Sequence, residues 1–205
     1  MIASGPPAKR PPHMAFEEFD MRGPARFASS ALIYTALMFG ANVGMADIAE
    51  LREGDMRKLS VHETPVEAAS APFEAAGGGE LTLGDFSGKI VLLNFWATWC
   101  APCRHEMPAL STLQADYGGE DFEVVTVAAG RNPQPAMERF FSEIDVDNLP
   151  LHRDPTQQFA REMGVLGLPV TVILDREGQE IARLQGGADW ASDSARAIVE
   201  ALLEE

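Results

Sequence analysis

Two cysteines, Cys100 and Cys103, are the only ones in the 205-residue sequence. A cysteine thiolate attacks disulfides and also binds soft metal ions, so a closely spaced pair suits either chemistry. A zinc site would need two further ligands. The sequence has four histidines, and they are scattered: His13, His62, His105 and His152. A lone Cys-x-x-Cys beside a strand and a helix therefore favours thiol–disulfide exchange.

The segments on either side of the two cysteines predict how they are positioned. The run Ile90–Trp96 is almost continuously apolar, which predicts a central strand buried on both faces. Beyond Cys103, apolar residues recur at helical spacing and predict a helix. Cys100 would then lie at a helix N-terminus, where free backbone N–H groups and the helix dipole stabilise a thiolate. We expect Cys100 to attack a partner's disulfide and Cys103 to resolve the mixed disulfide.

The remaining pattern predicts an α/β fold. Residues 76–80 form a turn between two short strands, near Phe73 and near 81–83, and indicate a β-hairpin. Further segments follow the strand or helix period: strands at 122–127, 170–174 and 180–184, and helices at 133–144, 157–163 and 190–203. This alternation predicts a mixed central sheet flanked by helices, with the hairpin as an N-terminal extension.

The N-terminal third predicts export. Residues 1–26 are proline-rich without an apolar period and are predicted to be a disordered tail. Residues 27–46 contain no charged residue, follow two arginines and precede two acidic residues. They predict a transmembrane anchor, with a cleaved signal segment as the alternative, and either one places the remainder in the periplasm. Residues 47–72 are interpreted as a connector with a short helix, and 73–205 as the folded domain.

Charge excludes one class of partner. The sequence has 31 acidic and 16 basic residues, for a formal net charge of −15. Such a surface repels nucleic acid, so we expect no nucleic-acid partner.

Residues 95–103, together with Glu106-Met107-Pro108, resemble the active site of TlpA-like, membrane-anchored thiol:disulfide interchange proteins, an extracytoplasmic thioredoxin-like family. In thioredoxin folds a cis-proline precedes the third strand and faces the dithiol, and the resemblance gives that role to Pro169, within residues 164–171. It implies a thioredoxin fold whose redox group is the Cys100–Cys103 disulfide, without a cofactor or a metal. Substrate recognition is then expected from the residues around the dithiol: Trp99, Ala101, Pro102 and Leu168.

The resemblance also implies a biological role. Such proteins reduce cysteine pairs of exported proteins, either in assembly of the cytochrome oxidase copper site or in cytochrome c maturation. Electrons would come from a membrane thiol-transfer protein, and residues 27–46 would tether the domain to the inner membrane. Two alternatives remain open: a copper-binding or metallochaperone module that uses Cys100, Cys103 and a distant histidine, and a peroxidase of the thioredoxin superfamily.

One departure from thioredoxin concerns the proton of Cys103. Thioredoxin carries a buried aspartate in the strand before its dithiol, and this chain has Asn94 there. An amide cannot accept that proton. Glu106 shares a helix face with Cys103, so we hypothesise that it tunes or deprotonates Cys103; the alternative is a solvated helix glutamate. Trp96 is expected to support the site from the core, and His105 to be structural.

Overall fold

The structure is a computed structural model and describes residues 48–204. Within that range eight strands form one mixed sheet. In chain order they are β1 (Ser60–Val66), β2 (Phe73–Glu74), β3 (Glu80–Leu81), β4 (Ile90–Trp96), β5 (Phe122–Ala129), β6 (His152–Asp154), β7 (Val170–Leu174) and β8 (Glu180–Gln185). They lie side by side in the order β1-β8-β7-β4-β5-β6-β2-β3.

Helices cover both faces of this sheet. Those with both ends inside the described range are α1 (Ala101–Tyr117), α2 (Gln134–Glu143), α3 (Gln158–Glu162) and α4 (Asp193–Leu203), and two short 3-10 turns lie at Gly54–Lys58 and Leu83–Phe86. The predicted α/β fold with a mixed sheet and a hairpin is confirmed, since β2 and β3 pair antiparallel.

Strand β4 lies at the centre because its sequence is apolar on both faces. All seven of its residues are buried. Leu92 and Trp96 pack with the inward face of α1, whereas Leu93 and Phe95 pack in a second core on the opposite side of the sheet. Side chains alternate along a strand, so Asn94 belongs to the face that α1 covers. The only polar residue of the central strand thus points towards the helix that carries the dithiol.

The sequence prediction missed two strands. Residues 47–72 were predicted to be a connector with a short helix, but Ser60–Val66 is a strand that pairs antiparallel with β8. It is an edge strand, where a proline such as Pro65 is tolerated because one row of N–H groups has no partner to bind. The strand His152–Asp154 was also missed, and it pairs parallel with β5.

The predicted tail at 1–26 and the predicted anchor at 27–46 lie outside the described residues. Between residues 48 and 204, no helix has the length and apolar character that a bilayer crossing requires.

A buried carboxylate ties β1 to the sheet. Glu180 on β8 is 4% exposed. It accepts two hydrogen bonds of 2.6 Å from Arg183 and lies 2.7 Å from Nε2 of His62 on β1. Burial alone would raise the pKa of Glu180, but the bonds and charges of Arg183 and His62 outweigh it and hold the pKa below its ordinary value.

We expect Glu180→Gln to lower the free energy of unfolding by about 1–2 kcal/mol at pH 7, because charge-assisted hydrogen bonds are lost while their partners stay partly exposed. The lowered pKa means that this contribution is present above the ordinary carboxyl range and disappears as the pH falls below it. Urea denaturation at several pH values measures the effect. Glu177→Gln, an exposed change in the neighbouring turn, is the control; equal losses in both variants would contradict the assignment.

Candidate active site

The dithiol lies where β4 leads into α1. Cys100 is the N-cap residue of α1, and the backbone N–H of Cys103 donates to its Sγ over 3.4 Å. The two cysteines form a disulfide with a Cα–Cα distance of 5.3 Å, so the structure represents the oxidised state. Cys103 is fully buried and Cys100 is 6% exposed. In the reduced state the same N–H groups and the helix dipole would favour a thiolate at Cys100.

A buried asparagine fixes the loop that precedes the dithiol. Asn132 Oδ1 accepts from the backbone N–H of Thr98 over 2.8 Å and from its hydroxyl over 3.0 Å. The Asn132 amide donates in turn to the carbonyl of Ala129 over 2.9 Å. Sequence reasoning missed this residue; the one available signal was the Gly130-Arg131-Asn132-Pro133 turn after a predicted strand.

Pro169 lies at the same edge of the sheet as the dithiol. Strand β7 runs antiparallel to β4, and Val170 pairs with Phe95, so the start of β7 meets the end of β4. The peptide bond between Leu168 and Pro169 is cis. The Pro169 carbonyl accepts from the backbone N–H of Gly186 over 2.9 Å, which joins this segment to the loop after β8.

The residues predicted for substrate recognition differ in exposure. Trp99 is 67% exposed, Ala101 and Pro102 are exposed, and Leu168 is half-buried between the two cores. Leu166, two residues before Leu168, is 98% exposed and was not singled out by the sequence. Apolar surface this open beside a dithiol is suited to contact another polypeptide.

An open groove borders the N-terminal turn of α1. It has a volume of about 410 Å³ and is lined by Thr98, Trp99, Ala101, Arg104, His105, Phe140 and Ile144. The guanidinium of Arg104 lies over the ring of Phe140 at 4.4 Å. His105 is exposed at this groove. Trp96 is fully buried and stacks on Phe141 at 5.2 Å, which agrees with its predicted place in the core.

Glu106 is buried rather than solvated. It is 3% exposed and lies one turn after Cys103 on the inward face of α1. Its Oε1 accepts from Asn94 Nδ2 over 2.8 Å, and its Oε2 accepts from the backbone N–H of Ala188 over 3.3 Å. The alternative of a solvated helix glutamate is therefore wrong.

Burial raises the pKa of Glu106 to about 7. The loss of hydration is the largest cause; it is partly offset by donation from Asn94 and Ala188, by the nearby indole of Trp190 and by the charge of Lys58. At neutral pH the group therefore exists both as the acid and as the carboxylate. That property suits a group that accepts and returns a proton.

Asn94 favours the carboxylate form of Glu106. Its amide nitrogen also donates to Thr171 Oγ1 over 3.0 Å, so Asn94 links α1 to β7. Its Oδ1 is buried without a hydrogen-bond partner among the described residues. An aspartate here would place a second carboxylate at hydrogen-bond distance from Glu106, and two such groups cannot both ionise readily. The departure from thioredoxin thus moves the acidic group from the strand to the helix.

Comparisons with known proteins agree with this geometry. A family model described as Redoxin matches residues 63–202. The thiol-disulfide oxidoreductase ResA of Bacillus thuringiensis is 31% identical over 136 residues, which are 66% of this chain and 78% of that protein. A structure from Chlorobium tepidum, described as the thiol:disulfide interchange protein DsbE, has 27% identity and a TM-score of 0.61 over 70% of this chain and 99% of its own. The exposed lipoprotein thioredoxin of Streptococcus pneumoniae has 28% identity and a TM-score of 0.54 over 67% and 100%.

The fold and the dithiol define a thiol-disulfide oxidoreductase with a thioredoxin fold, whose redox group is its own cysteine pair. The chain belongs to the Redoxin family. The resemblance to extracytoplasmic thioredoxin-like proteins is thereby confirmed. Among residues 48–204, no three His, Cys, Asp or Glu side chains come together as metal ligands.

We expect Glu106→Gln to change how the stability of the oxidised protein depends on pH. A carboxyl with a pKa near 4.5 unfolded and about 7 folded makes the native state bind the extra proton, so stability falls as pH rises between these values. The pKa difference corresponds to roughly 3 kcal/mol. Urea denaturation at pH 5 and pH 8 should show most of this loss in the wild type and none of it in the variant. Glu138→Gln, an exposed change on α2, should behave as wild type; a wild type without the loss would contradict the burial argument.

Proposed function

We propose that this protein is an exported reductant that transfers two electrons from Cys100 and Cys103 to disulfides of other exported proteins. The observation that carries the proposal is the burial of Cys103 and Glu106 one turn apart on α1. Oxidising members of this class stabilise their reduced, thiolate form. Burial of Cys103, and the negative charge that Glu106 carries when ionised, disfavour a thiolate at Cys103. The reduced pair is less stabilised as a result, which makes it a better electron donor.

In the first step the Cys100 thiolate attacks one sulfur of the substrate disulfide. A bond forms between Cys100 Sγ and that sulfur, and the other substrate sulfur leaves as a thiolate that takes up a proton. Cys100 is the one cysteine of the pair with measurable exposure. The exposed Trp99 and the half-buried Leu168 would hold the substrate chain beside it, with the exposed Ala101 and Pro102 forming the adjoining surface and the buried Pro169 lying beneath it.

In the second step Cys103 resolves the mixed disulfide. The Glu106 carboxylate accepts the Cys103 proton, and the resulting thiolate attacks Cys100 Sγ. The Cys100–Cys103 disulfide forms while the second substrate sulfur leaves as a thiolate and is protonated. The substrate has then gained two electrons and two protons, and the enzyme is left in the oxidised state seen in the structure.

The location and partners belong to the same proposal. The apolar, uncharged residues 27–46 support export with an inner-membrane anchor, or a soluble periplasmic form if they are cleaved. One similar structure is described as an exposed lipoprotein thioredoxin. The substrates would be proteins with a cysteine pair that must stay reduced, such as copper-site assembly proteins or apocytochrome c. A membrane thiol-transfer protein would re-reduce the enzyme.

We expect Cys103→Ser to accumulate a mixed disulfide with substrate, because Cys100 still attacks and no thiol remains to resolve it. Cys100→Ser should trap far less, since Cys103 is fully buried. Reduced full-length variants are incubated with a periplasmic extract, quenched with acid and analysed by non-reducing gels and mass spectrometry. The wild type should also reduce insulin disulfides, and each variant should not. Equal trapping by both variants would overturn the assigned roles.

A further inference from the structure

The loop at 186–189, between β8 and α4, contacts three parts of the active site. Gly186 N–H donates to the carbonyl of Pro169 over 2.9 Å, and Ala188 N–H donates to Glu106 over 3.3 Å. A Cβ added at Gly187 would lie 3.5 Å from Pro102, so the loop also packs against the residue between the two cysteines. A displacement of this loop would therefore disturb the dithiol, the cis-proline and Glu106 together.

The same loop is held from its other side by the 3-10 turn Gly54–Lys58. Lys58 Nζ donates to the carbonyl of Gly187 over 2.8 Å, and the N–H of Asp189 donates to Asp55 Oδ2 over 3.2 Å. Asp55 and Lys58 form an ion pair at 2.9 Å. The hydrogen bonds from Lys58 and to Asp55 therefore fix the peptide groups before and after Ala188. Ala188 is the residue whose N–H donates to Glu106.

We propose that Asp55 and Lys58 form a clamp that positions the 186–189 loop and thereby holds the Ala188 N–H against Glu106. This deepens the proposed function and rests on it, since the clamp acts through the group proposed to accept the Cys103 proton. Lys58 and Asp55 are positioning residues, because neither touches the cysteines. The clamp comes from a segment that precedes β1, outside the stretch that the sequence predicted as the folded domain.

Lys58 affects the pKa of Glu106 less through its own charge than through the Ala188 hydrogen bond that it helps to hold in place. The Lys58 side chain is 46% exposed, so solvent screens its attraction for Glu106. The groups that act on Glu106 are Asn94 on β4, Ala188 and Trp190 after β8, and Lys58, the one cation among residues 48–204 that affects its pKa. Cys103 lies one turn earlier on the same helix. Loss of the Ala188 bond and loss of the Lys58 charge both disfavour the carboxylate, so both move its titration to higher pH.

The test measures the rate at which the reduced full chain reduces insulin, as a function of pH. We expect Lys58→Met to move the acid limb of the profile to higher pH by about one unit, the scale for one hydrogen bond to a charged group. Lys58→Arg keeps a charged donor and should restore most of the wild-type profile. Arg57→Met is the matched control, because Arg57 is an exposed neighbouring cation without a hydrogen bond or ion pair among the described residues.

Combining Lys58→Met with Glu106→Gln distinguishes the clamp from the proposed proton-acceptor role of Glu106. If the clamp acts through Glu106, Lys58→Met will shift the profile in the wild type and leave it unchanged in Glu106→Gln. If Lys58→Met matches Arg57→Met while Glu106→Gln alone alters the acid limb, the clamp is overturned and the proposed function stands. If Glu106→Gln has the wild-type profile, the proton-acceptor role fails and the clamp fails with it. Asp55→Asn is the second variant should Lys58→Met unfold; it should give a shift in the same direction.

Discussion

The burial of one carboxyl group, that of Glu106, is the constraint on which this active site depends. Removing an ionised carboxylate from water is unfavourable, and the raised pKa of about 7 expresses that cost. The cost stays moderate because Asn94 and the Ala188 backbone donate to the two carboxylate oxygens. A group balanced in this way can hold or release a proton at neutral pH, whereas a solvated glutamate would remain ionised and a fully apolar pocket would keep it protonated.

Each part of the fold contributes one element of this balance. Side-chain alternation along β4 places Asn94 on the face that α1 covers. Because α1 begins at Cys100, its inward face brings Cys103 and Glu106 into the core one turn apart. The antiparallel direction of β7 places Pro169 at the edge where the dithiol lies. The loop after β8 then closes over the helix and supplies the last donor. The site consequently requires strands and loops that are far apart in the sequence.

The sequence predicted those features whose signal is local. The strand Ile90–Trp96 was predicted with its correct bounds because an unbroken apolar run of that length fits a covered strand. The sequence placed Glu106 on the correct helix but did not show whether its side chain is buried or exposed to solvent. That depends on its contacts with Asn94 and Ala188, which lie elsewhere in the chain. Strand β1 was missed because its mostly exposed residues and Pro65 are typical of a loop. Hydrogen bonds from backbone groups, such as the Ala188 N–H, cannot be predicted from residue types, because every residue except proline has a backbone N–H.

The most direct measurement is the titration of the Glu106 carboxyl itself. Protein labelled with ¹³C at the glutamate side-chain carboxyl carbon would be followed by NMR between pH 4 and pH 9 in the oxidised state, and the resonance would be assigned by its absence from Glu106→Gln. We expect a midpoint at about pH 7, well above the ordinary carboxyl value of 4.5. A midpoint near the ordinary value of about 4.5 would contradict it, because the effect of burial would then be fully offset and Glu106 would be a poor acceptor for the Cys103 proton at neutral pH.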